Sequence, residues 1–243
     1  MSTLLQSLPG LEMPVSEVAP FLKKLWIGEK TDSEEPGLYR ASQMNLVLHL
    51  GLDTPAEEAK DVFKTALDFG QRYPCRIIIL CPETSETQEE LMRAKVYTQC
   101  FIGESGREKS CSEALLLGYQ PGDHGFLENQ VSIWLESDLP FYHWFHRVPA
   151  VRITDQYLPF TRRSRRVLID SALGEAEEIS KIEWPGGVVM RDLAEARVLP
   201  LRQTIGQFLS GYSPRTLVDG LEEILLEAPE GLLAEQKHLQ QWV

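Results

Sequence analysis

The sequence predicts an α/β protein, with a mixed, mostly parallel sheet of at least five strands flanked by helices. Three observations carry this. Cys75–Cys81 (CRIIILC) is a near-continuous apolar run of strand length, the pattern of a strand covered on both faces. A second apolar run, Met44–Leu50 (MNLVLHL), precedes it across a stretch of helical periodicity, which makes a β-α-β unit. Further strand-length runs recur as far as Asp170, separated by turn residues or amphipathic stretches. The composition agrees: 43% of the 243 residues are hydrophobic and 25% charged, ordinary for a packed chain of one large domain or one domain with an appendage.

In chain order, Val15, Val18, Leu22, Leu25 and Trp26 recur at spacings of three and four, one face of a helix behind an N-terminal arm. The acidic stretch 29–35 and Pro36-Gly37 read as a linker or exposed loop. After the strand at 44–50, Thr54-Pro55-Ala56-Glu57 has the form of a capping box, with Thr54 at N-cap and Pro55 opening the helix. That helix runs to about Gln71, with Ala59, Phe63, Ala66, Leu67 and Gly70 on its inner face. Ala94–Ile102 and Glu113–Tyr119 are two more strands, joined as a hairpin or edge connection. A helix over 124–137 turns Leu127, Val131, Trp134 and Leu135 inward. Phe141–Val148 (FYHWFHRV) is an aromatic strand, a basic loop follows, and Arg166–Asp170 is a strand. Pro200 opens a helix, and the last 30 or so residues suggest one strand and one helix. The expected organisation is an N-terminal helix and linker over 1–35, an α/β core domain over 36–210, and a C-terminal strand/helix extension over 211–243 packed on the core.

Charge narrows the function. With 24 basic against 36 acidic residues the net charge is −12, which disfavours general binding to nucleic acid. No segment has the 18 or so apolar residues of a membrane helix, and the first residues do not have the pattern of a secretory signal. Four cysteines are too few for a disulfide scaffold, so the expected location is cytoplasmic.

No catalytic motif stands out: the sequence has no P-loop, no GxGxxG after a strand, no GxSxG and no HExxH. Gly103-Glu104-Ser105-Gly106 reads as a hairpin turn, with an anion loop as the alternative. His143 and His146 are three apart on one strand and point to opposite faces, so they do not share a metal; His49 suits a core position with a hydrogen-bond partner. No metal, no cofactor and no catalytic residue is expected.

Two features remain. Cys75 and Cys81 are six apart on one strand, about 20 Å, too far for a disulfide. Cys100 and Cys111 fall near opposite positions of the predicted hairpin. They admit a redox pair or two reduced thiols that fill space. The segment from Arg147 to Arg166 holds six arginines against one acid. Of these, Arg147, Arg152, Arg162 and Arg163 are the candidate partner- or anion-binding residues, since guanidinium suits bidentate contact with phosphate or carboxylate. Internal pairing with the surplus acids is the alternative.

The ordered segments Tyr39–Val47 (YRASQMNLV), Tyr73–Ile78 (YPCRII), Ser137–Pro140 leading into Tyr142–Phe145, Arg165–Ala172 (RRVLIDSA) and Asp192–Arg202 (DLAEARVLPLR) resemble the glucose-6-phosphate dehydrogenase assembly protein family, OpcA. The resemblance runs from about residue 15 to 210. It implies a non-enzymatic partner of glucose-6-phosphate dehydrogenase, an assembly factor or allosteric activator at the entrance to the oxidative pentose phosphate pathway, in a family with some members under thiol redox control. The competing expectation is an enzyme or sensor that binds a sugar phosphate or nucleotide at the Arg147–Arg166 cluster.

Overall fold

The computed structural model describes residues 3–27, 42–84, 92–102 and 109–243. The predicted linker at 29–35, Pro36-Gly37, the opening of the 39–47 segment and the G-x-x-G at 103–106 lie outside the described residues. The strands are β1 (Leu11–Met13), β2 (Met44–Leu50), β3 (Cys75–Pro82), β4 (Met92–Ile102), β5 (Lys109–Tyr119), β6 (Phe141–His146), β7 (Ser164–Ile169) and β8 (Val189–Asp192). The helices are α1 (Leu4–Ser7), α2 (Val15–Ile27), α3 (Ala56–Arg72), α4 (His124–Trp134), α5 (Ala150–Arg152), α6 (Ala176–Ser180), α7 (Leu193–Leu209), α8 (Pro214–Val218) and α9 (Leu233–Trp242).

All eight strands form one sheet in the order β1-β4-β5-β3-β2-β6-β7-β8. The pairs from β5 through β3, β2, β6 and β7 to β8 are parallel; β4 is antiparallel to both β5 and β1. The sheet is therefore mixed and mostly parallel, with helices on both faces, as the sequence predicts. β3 is buried at every position, which follows from its place inside the sheet under two helical layers.

Alternation along the strands divides the core. Leu46, Leu48 and Leu50 of β2, with Ile77 and Ile79 of β3, pack against α1 and the Ala59, Phe63, Ala66 and Leu67 face of α3. Val47 of β2, with Ile78 and Leu80 of β3, packs on the opposite face against Val18 and Leu22 of α2 and Leu127, Val131 and Trp134 of α4. The crossover from β2 to β3 thus runs over one face and that from β5 to β6 over the other. Arg76 of β3 is buried between Glu113 of β5 and Glu136 after α4, at 2.7 and 2.8 Å, so its charge enters the core paired.

Several local expectations change. The N-terminal arm is more than an arm and a helix: α1 is closed by a Thr3–Gln6 capping box, and β1 extends the sheet by pairing with β4. Lys95 Nζ holds this segment by donating to the Leu8 carbonyl at 2.9 Å. Pro55, not Thr54, is the N-cap of α3, and the buried Thr54 hydroxyl makes no capping bond. The basic loop after β6 is helical instead, running through α5, a π-turn at Ile153–Tyr157 and a 3₁₀ turn at Pro159–Arg163. Pro200 lies inside α7 rather than at its start; the helix opens at Leu193, where the Asp192 carboxylate accepts from the Ala194 amide. Residues 211–243 contain no strand. The alternating apolar and acidic residues near 219–227 are solvent-exposed coil instead of one face of a sheet.

Candidate functional site

β2 has β3 on one side and β6 on the other. From the carboxyl end of β2 the chain turns to α3 on one face; from the carboxyl end of β6 it turns to Ala150, Ile153 and Tyr157 on the other. The diverging loops open a crevice, the place where doubly wound sheets bind ligands. Here it is about 170 Å³, lined by Asp53, Arg147, Asp170 and Glu175 among others.

Backbone strain concentrates at this crevice. Arg147 has φ of 54° and Glu175 φ of 42°, the only non-glycine positive φ values among the described residues. Gly51 closes the end of β2 by donating its amide to the His146 carbonyl at 2.8 Å. A Cβ on Gly51 would lie 1.9 Å from the Arg147 carbonyl oxygen, so only glycine fits. The Glu175 carboxylate accepts from the Ala150 amide at 2.7 Å, tying the loop after β7 to the loop after β6.

The charges of the crevice are largely internal. Arg147 Nε donates to Glu58 Oε1 at 2.6 Å, and His146 Nε2 meets the same oxygen at 2.9 Å. The Arg147 hydrogen bond holds the Glu58 carboxyl below its usual range, and burial lowers His146, so the pair is a neutral imidazole N–H donating to a carboxylate. Arg197 of α7 forks onto Asp170 at 2.7 and 2.8 Å and also reaches Glu235 of α9 at 2.6 Å. These bonds raise its pKa and fasten the C-terminal helix to the core. The arrangement braces loops; it does not pair a nucleophile with a base.

The four candidate arginines do not converge. Arg147 follows the end of β6, whereas Arg162 and Arg163 precede the start of its parallel neighbour β7. The length of a six-residue strand, about 20 Å, separates the two ends. Arg163 stacks over the Phe141 ring at 5.2 Å. Arg162 is exposed with no partner among the described residues. Arg152 lies on the other face, with Nε on Gln156 Oε1 at 3.2 Å and its charge acting on Tyr119 and Tyr157.

His143 and His146 do point to opposite faces. His143 meets His49 of β2 instead, Nδ1 to Nε2 at 2.8 Å, in a pocket closed by Phe145, Tyr157 and Phe160. Beside them the hydroxyls of Tyr119 and Tyr157 share a short hydrogen bond. Burial drives both imidazoles toward the neutral form, His143 to a pKa of about 3. Sequence reasoning gave each histidine separately; their contact depends on β2 and β6 being neighbours. Among the described residues no cluster of His, Cys, Asp or Glu could hold a metal ion.

Cys75 and Cys81 are buried free thiols, and burial pushes both pKa values up, Cys75 to about 12. In the backbone register, Cys100 of β4 stands directly opposite Cys111 of β5.

No helix among the described residues is long and apolar enough to cross a membrane. No curated protein and no solved structure matches the chain. A family model does match, over residues 66–183, a span that begins within α3 and contains β3 to β7 and the crevice after β6. That model is the glucose-6-phosphate dehydrogenase subunit N-terminal domain, and the match, over just under half of the chain, supports its assignment to the OpcA family.

Proposed function

We propose that this protein is a non-catalytic subunit that binds glucose-6-phosphate dehydrogenase, promotes its assembly and activates it allosterically at the entrance to the oxidative pentose phosphate pathway. The observation that carries the proposal is the family match over residues 66–183, which contains β3 to β7. Surface chemistry supports it. Phe208, Tyr212, Val218, Leu221, Ile224 and Leu225 are each at least half exposed and are interleaved with Asp219, Glu222 and Glu223. Apolar residues so exposed mark interaction surfaces more than monomer surface. Within this reading Arg162 and Arg163 are docking arginines, and Cys100 and Cys111 are a redox-responsive pair. The competing sugar-phosphate or nucleotide site would need the arginines together, and Arg147 and Arg162 stand at opposite ends of the strands.

The test is co-purification with the dehydrogenase of the same source, followed by its rate of NADP⁺ reduction with and without the chain. The chain alone should form no reduced cofactor from glucose 6-phosphate. It should bind the dehydrogenase and raise its rate or its oligomeric order. Autonomous reduction, or no binding to the dehydrogenase, would overturn the proposal.

A further inference from the structure

Among the described residues the helical layer has a gap on the face of the sheet that carries α3. Parallel strands are ordinarily covered on both faces. Here the even-numbered side chains of β2, β6 and β7, among them Leu46, Tyr142, Trp144 and Leu168, floor an open trough between α3 and α7. Its volume is about 860 Å³, inside the roughly 300–1,000 Å³ range of small-molecule sites. The walls are apolar as well: Val62 and Phe69 on the α3 side, Ala196 on the α7 side.

The polar groups of the trough are few and of two kinds. Arg197 is held by two carboxylates, Asp170 through a forked pair and Glu235 through Nε. Two buried atoms of the lining lack partners. Trp144 Nε1 and His146 Nδ1 are shielded from solvent and make no hydrogen bond. Arg166 of β7 is exposed and has no hydrogen bond or ion pair among the described residues. Asp61, on α3 across the trough, is the remaining charge of the lining, its side chain unpaired among the described residues.

We infer that this trough is a binding site for a small, flat, apolar organic anion. The aromatic floor accepts the ring face to face or edge to face. Arg166 takes the anionic group, and Asp61 on the opposite wall repels it, so the ligand lies with its charged end toward β7.

The probe is the anionic dye anilinonaphthalene sulfonate, with the uncharged phenylnaphthylamine as its control. Both are titrated into the full chain and read by energy transfer from tryptophan. Both dyes should saturate at one molecule per chain. Thr65→Trp, on the exposed trough-facing side of α3, fills the site and should weaken both dyes at least tenfold. Ala196→Trp does the same from α7, should Thr65→Trp fail to fold. Arg166→Gln should weaken the sulfonate about tenfold, the loss of one charge-assisted contact, and leave the neutral dye within about twofold. Unsaturable binding, or sulfonate binding indifferent to the filling variants, would put the dye on the exposed C-terminal strip and overturn the inference. Equal losses of the two dyes in Arg166→Gln would remove the anion. A dimeric chain that Thr65→Trp turns into a monomer would make the occupant a second copy and overturn it too.

Discussion

Acidification should destabilise this fold through His143. The imidazole is only 2% exposed, its hydrogen-bond partner is His49, and burial drives its pKa from 6.5 to about 3. In the unfolded chain the group returns to about 6.5. Between the two values the unfolded chain binds a proton that the native chain refuses. Stability therefore falls as pH falls through this window; above it both states are neutral and nothing is lost. One such histidine gives a slope of about 1.4 kcal/mol per pH unit, or about 2 kcal/mol lost by about pH 5. His49 shifts in the same direction, first by burial and then by the charge of His143, and steepens the slope. The assay is urea unfolding of the wild type and His143→Gln at steps between about pH 7.5 and pH 5, above most carboxylate titration. Glutamine keeps a hydrogen-bonding partner for His49 but does not titrate. The variant should be less stable at the upper pH, through lost packing against Phe145 and Phe160. Its stability should fall less steeply, by about 1.4 kcal/mol per pH unit. Equal slopes in the two proteins would mean that His143 is not the group that titrates on unfolding.

Gly51→Ala should cost at least about 3 kcal/mol in urea unfolding, because its Cβ would meet the Arg147 carbonyl oxygen at 1.9 Å; a loss below about 0.5 kcal/mol would show that the β2 and β6 ends part freely. Mild oxidation should link Cys100 to Cys111, which face each other in the register, and peptide mapping should recover that bridge; two free thiols after oxidation would leave the space-filling role. Arg162→Glu with Arg163→Glu should slow association with the dehydrogenase and reduce its activation, most at low salt, since rim charges act mainly on encounter. A folded double variant that activates normally at low and high salt would end the docking role.

The β-α-β centre is legible in the sequence. The apolar run of β3, the run of β2 and the amphipathic face of α3 are local patterns, written by which side chains must leave water within one element. Also legible are two strands suited to a hairpin or edge connection, which the structure pairs antiparallel as β4 and β5, and the opposite facing of His143 and His146, because both follow from short spacing along the chain. The tertiary structure alone decided who neighbours whom. Leu11–Met13 is too short and too exposed to announce itself, and becomes a strand because the edge of β4 offers it partners. The arginines of 147–166 are contiguous in sequence, but a parallel crossover carries the chain back to the start of the next strand, so Arg147 and Arg162 part to opposite ends. His49 and His143 are 94 residues apart and meet because β2 and β6 are neighbours. The trough over β2, β6 and β7 is a gap between helices from distant parts of the chain. Periodicity specifies which face of each element is apolar; it carries no address for the element that will cover that face, and strand order is set by the packing of the whole sheet.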